Sequence, residues 1–166
     1  MIRRFLIVIT ITGLIFTGGT FFSFAEDLDH VEKLFDLRSA ISDQGNVIPT
    51  IIKKTSGKDL RTLERVFELN TSTLTMMEAY FRILTITLAS GSESNPEAIK
   101  ILNEWLLFMQ NQSNYDMDYL SSTIKETSNP EVLIQLEIAK KNILELNKMS
   151  KAGISETRRM QKEASE

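Results

Sequence analysis

Between residues 58 and 90 the apolar side chains recur in alternating steps of three and four. Leu60, Leu63, Phe67, Leu74, Met77, Phe81, Leu84 and Leu88 hold eight of nine seam positions, and Asn70 holds the ninth. Side chains three and four residues apart share a helix face, so this repeat predicts one long helix packed lengthwise on others. At a rise of roughly 1.5 Å per residue it would be about 50 Å long. Val66, Met76, Tyr80 and Ile83 widen the stripe. A stripe broader than two positions per heptad suits a multi-helix bundle better than a two-stranded coil.

Similar patterns occupy the rest of the chain. Over 27–42, Leu28, Val31, Leu34, Phe35, Leu37 and Ile41 recur at helical spacing. Gly45-Asn46 and Pro49 are breakers, so a kink or a split is expected there, with a short second piece over 47–55 that Gly57 ends. Ser90–Ser94 reads as a loop. Asn95-Pro96-Glu97 then opens a helix, because Asn caps, Pro fits the first turn and Glu meets the positive helix end. Its apolar side is Ala98, Ile101, Leu102, Trp105, Leu106, Phe108 and Met109. The polar run Gln110–Asn114 either crosses as an exposed stretch or breaks that helix, and Tyr115, Met117, Tyr119, Leu120 and Ile124 resume the pattern. Ser128-Asn129-Pro130-Glu131 repeats the start signal. The helix it opens runs over about 130–152, with Val132, Leu133, Leu136, Ala139, Ile143, Leu144 and Leu146 inward and Gly153 as its stop. Residues 154–166 read as a polar tail.

Short turns join antiparallel neighbours. The expected fold is therefore an all-α, antiparallel up-down-up-down bundle of about four helices over 26–153, with the first helix kinked or split. The start signal recurs after 34 residues, the length of a tetratricopeptide unit. Asp118 and Lys125, however, fall where that unit needs small side chains, and no third unit follows, so two similar helix starts explain the repeat.

The first 25 residues have a different character. Arg3 and Arg4 precede twelve uncharged residues, Phe5–Phe16, and Ser23-Phe24-Ala25 places small side chains at the −3 and −1 positions of a cleavage after Ala25. This is the three-part pattern of a secretory signal. The alternative is an uncleaved anchor over 5–25 with Arg3 and Arg4 left in the cytoplasm. Both readings put the body outside the cytoplasm, so the chain is expected to be periplasmic or secreted, or else membrane-anchored. Only residues 1–25 would contact a membrane.

Composition narrows the function classes. Past residue 25 there are 17 Lys and Arg against 22 acids, a net charge of −5, and the chain has no cysteine. An acidic body lacks the concentrated positive surface that nucleic acid needs. Without disulfides, stability rests on packing.

Candidate chemistry is sparse. His30 is the only histidine and stands near Asp27, Asp29 and Glu32, whereas zinc and copper sites recruit several His or Cys ligands. Glu64 and Glu68 share a helix face but lack the Glu-x-x-His partners of a di-iron bundle. Asp116-x-Asp118 lacks the glycine and terminal glutamate of a calcium loop. No nucleophile elbow or phosphate loop is present. Catalytic, cofactor and metal residues are therefore expected to be none.

Two features remain. Asn70 is either a register-setting buried polar residue or the lining of a small-ligand cavity. Asn70-Thr71-Ser72 and Asn111-Gln112-Ser113 also match the glycosylation sequon. Trp105, Tyr115 and Tyr119, with Phe108, form an aromatic group that reads as core packing or as a recognition surface. The expectation is an exported, non-enzymatic bundle acting on an unknown protein partner, homo-oligomerisation included. The alternative is a ligand-binding or sensory bundle with a cavity near Asn70.

Overall fold

A computed structural model describes the backbone of residues 24–89 and 96–163 and the side chains of 32–87 and 96–162. Most of the expected signal, the His30 side chain and the turn at 91–94 lie outside the described residues. The described residues form an all-helical bundle of four helices: α1 (Phe24–Ile52), α2 (Gly57–Ala89), α3 (Pro96–Glu126) and α4 (Pro130–Glu163). No strand occurs among the described residues, and no helix among them is long and apolar enough to cross a membrane.

Each interhelical contact shows the sense of its pair. Lys58 at the start of α2 meets Glu126 at the end of α3, while Trp105 meets Met76. Asn114 meets Asn147, and Asn103 meets Thr157 further along α4. Arg38 meets Glu78, and Gln44 meets Asn70. Sequential helices thus run in opposite directions. The closest pairing is α3 with α4, while α2 meets α3 over much less of its length. The close pair depends on small side chains: Ser113 and Ser150 are buried, and a Cβ placed on Gly153 would lie 2.9 Å from Leu106 Cδ1.

Three boundaries differ in part from expectation. Of the kinked or split first helix, only the split is overturned, because α1 runs through Gly45 and Pro49 to Ile52. Leu34, Leu37, Ile41, Gln44 and Ile48 keep one buried stripe across the breakers, and this tertiary packing outweighs the lost Pro49 N–H. The polar run 110–114 neither breaks α3 nor stands clear of the core. Ser113 is fully buried there, its hydroxyl donating to the Met109 carbonyl at 2.7 Å. Gly153 does not stop α4, which continues to Glu163 with Ile154 and Thr157 buried, so the expected tail belongs largely to the bundle.

The helix starts follow local chemistry. Gly57 has φ of 64°, a left-handed conformation that favours glycine, and it leads from the turn into α2. Asn129 caps α4: its Oδ1 accepts the Glu131 N–H at 3.1 Å while its Nδ2 donates to Asp59 at 2.9 Å.

The α2 stripe is rotated from the expected seam. Leu63, Asn70 and Met77 are buried as the spacing requires, but Phe67 is largely exposed and Leu60, Leu74 and Phe81 are only partly covered. The second buried line is Val66, Thr73, Tyr80 and Thr87. Two of those four positions are threonine, which hides the line from a hydrophobicity count.

Candidate functional site

The apolar core divides into two clusters. One gathers Leu34, Ile41, Met77, Leu106 and Leu146, and the other Ile48, Leu63, Leu120, Leu136 and Ile143. Between them lie buried polar side chains from every helix: Gln44, Asn70, Thr73, Ser113, Asp116 and Asn142. Gln44 is the hub. Its Oε1 accepts from Asn70 Nδ2 at 3.2 Å and from Asn142 Nδ2 at 3.5 Å, and its Nε2 donates to the Gln135 carbonyl at 2.6 Å. Thr73 and Ser113 turn their hydroxyls back to carbonyls of their own helices. Buried amides need such partners, because each unsatisfied group retains its desolvation penalty.

Asn70 is 3% exposed and belongs to this layer. A shallow, open depression of about 540 Å³ lies nearby on the outer face of α2, lined by Phe67, Glu68, Thr71, Ser72, Thr75 and Met76, and Asn70 does not line it. Burial also removes Asn70 from reach of a glycosylating enzyme in the folded chain, whereas Asn111 is exposed.

Asp116 closes the layer on the α3 side. Burial pushes its carboxyl above the ordinary aspartate range, while a hydrogen bond from Gln112 at 3.0 Å and the nearby Arg65 charge oppose that rise. Arg65 pairs with Glu68 at 3.0 Å, and its guanidinium lies 5.9 Å from the Tyr119 ring centroid.

The aromatic group of α3 does not act as one unit. Trp105 is half-buried against the first core cluster, and its indole N–H donates to the Met76 carbonyl at 3.2 Å. Tyr119 packs on the second cluster. Tyr115, by contrast, is 65% exposed, and so are Phe108 at 49% and Ile101 at 47%. Ile101 and Phe108 were expected to face inward. They stand instead seven residues apart in line with Tyr115, along the outer border of α3. Trp105 links this line to the core through its tilted contact with Phe108, ring centroids 5.4 Å apart. The remaining candidates do not converge: Glu64 and Glu68 are exposed, and Asp118 is exposed while Asp116 is buried.

No protein-family model, curated protein or solved structure matches this chain.

Sequence reasoning found Asn70 but missed Gln44, Gln135 and Asn142. The signal was present for two of them. Gln44 stands midway between Ile41 and Ile48 in the α1 repeat, and Asn142 stands between Ala139 and Leu146 in that of α4. A polar residue in an apolar register on three helices points to one shared layer.

Proposed function

We propose that this chain is an exported, non-enzymatic up-down-up-down helical bundle that works by binding another protein through the outer border of α3. Residues 1–25 act as a secretion signal cleaved after Ala25, and the body acts in the periplasm or outside the cell. The observation that carries the reading is the exposed line Ile101, Phe108 and Tyr115, large apolar groups at heptad spacing on a well-packed helix. Aromatic side chains held by a rigid scaffold offer large contact area at little entropic cost, which is why such residues anchor interfaces. Helix-on-helix recognition reads the same spacing.

The test is a cross-linked pull-down of a C-terminally tagged chain from intact cells, beside a Phe108→Ser/Tyr115→Ser variant. The expected result is one near-stoichiometric envelope or extracellular protein that the variant fails to retain. A partner retained equally by both forms would move the binding surface elsewhere. A clean preparation with no partner would overturn the reading and turn attention to a small ligand, for which a ligand-dependent rise in melting temperature is the signature.

A further inference from the structure

The border of α3 carries a second pattern interleaved with the first. Glu104 lies three residues after Ile101 and four before Phe108, and Asp118 lies three residues after Tyr115. Residues three and four apart are neighbours on a helix surface, so each carboxylate sits beside a large apolar group. Both acids are exposed, and neither joins an ion pair among the described residues. Between Lys100 and Lys125 the chain has no Lys or Arg at all. Across the α2 border, Arg65 is engaged by Glu68 and lies over Tyr119. The result is an apolar line about 21 Å long at roughly 1.5 Å per residue, with Glu104 and Asp118 beside it and Lys100, four residues before Glu104, as the one cation on α3 within a turn of either acid.

We infer that the occupant of this surface is an amphipathic α-helix of another protein whose apolar stripe is bordered by lysine or arginine. The inference rests on the reading of α3 as a protein-binding surface and adds the chemistry of the partner. The partner's apolar side chains lie against Ile101, Phe108 and Tyr115, and its cations reach Glu104 and Asp118. The faces of Phe108 and Tyr115 also attract a cation, since the π-system is negative there. Charge complementarity of this kind selects the partner and speeds encounter more than it adds affinity. It disfavours the other occupants. A second copy in the antiparallel register that pairs Ile101 with Tyr115 and Phe108 with itself would set Glu104 opposite Gln112 and Asp118 opposite Ala98, with no cation directly across from either acid. An anionic lipid surface would be repelled by the same carboxylates.

The experiment places photoreactive benzoylphenylalanine at position 108 or 115 of the full chain in the cells that make it, with position 141 on α4 as control. The cross-linked segment is then sequenced by mass spectrometry. The expected product joins position 108 or 115 to a segment of another protein with helical apolar spacing and Lys or Arg beside it. A Glu104→Lys/Asp118→Lys variant, altered only at exposed positions, should lower the yield at least tenfold while its circular dichroism stays unchanged. A yield within twofold of the parent refutes the basic partner and leaves the protein-binding reading in place. Cross-links to a segment without Lys or Arg, to lipid or to a second copy refute it too. Yields at 108 and 115 no higher than at 141 overturn both the inference and the reading beneath it.

Discussion

Gln44 offers a quantitative test of the buried polar layer. Replacing it with leucine removes the acceptor for two buried amides, Asn70 Nδ2 at 3.2 Å and Asn142 Nδ2 at 3.5 Å. A buried donor left without a partner costs about 1–3 kcal/mol. The second bond is long, so the structure supports one full penalty and part of another. The leucine side chain returns roughly 1 kcal/mol as apolar burial. The net expectation is a loss of about 2 kcal/mol in Gln44→Leu. Asn70→Ala alone should also destabilise, because it empties space and removes a donor from Gln44. In the double variant, however, position 70 no longer carries a donor to be stranded, so the two losses should overlap by about 1 kcal/mol or more. Urea unfolding of the purified chain, followed by circular dichroism and by the fluorescence of Trp105, measures all four corners of the cycle. Losses that add to within about 0.5 kcal/mol would show that the two amides are not energetically coupled and refute the shared layer.

Single contacts supply the other predictions. Asp116→Asn should stabilise the chain near neutral pH. The folded state raises this carboxyl above its unfolded value, so it binds its proton more tightly when folded; stability is lost as pH rises through that window, and the variant's advantage should vanish in acid. Parallel urea titrations at neutral and acid pH check the sign. Gly153→Ala should destabilise the parent, because the new methyl meets Leu106 Cδ1 at 2.9 Å, yet stabilise a Leu106→Ala background, where Ala gains about 1 kcal/mol in helix propensity over Gly. Thermal unfolding of the four forms decides it. Asn129→Ala should cost about 1 kcal/mol by uncapping α4, read as a lower urea midpoint with an unchanged slope. The exported protein should begin at Glu26, which its intact mass establishes; a mass that retains residues 1–25 would favour the anchor.

Phe67 and Ile101 show how far a linear pattern reaches. Each satisfies a three-and-four repeat, and each is exposed, because a helix with apolar residues around more than half its circumference does not announce which arc its neighbours cover. Thr73 and Thr87 are buried for the converse reason: a hydroxyl that bonds its own helix, as Thr73 does, enters a core without needing a partner from another helix. Gly153 and Pro49 are breakers by local propensity. Both lie inside helices because the flanking stripes bury enough surface to outweigh about 1 kcal/mol for glycine and about 3 for proline.

The sequence by itself determined that the chain is helical, that it has four main segments, where Asn129 starts the last of them, and that Asn70 interrupts an apolar seam. These follow from period and capping, which are local. Only the tertiary structure decided which arc of each helix is covered. It brought Asn70, Gln135 and Asn142 to Gln44 from segments far apart in the chain, set Gly153 against Leu106, and left Ile101, Phe108 and Tyr115 in solvent. Those outcomes depend on how the four stripes rotate to fill one core, a property of all the helices together that no single helix encodes.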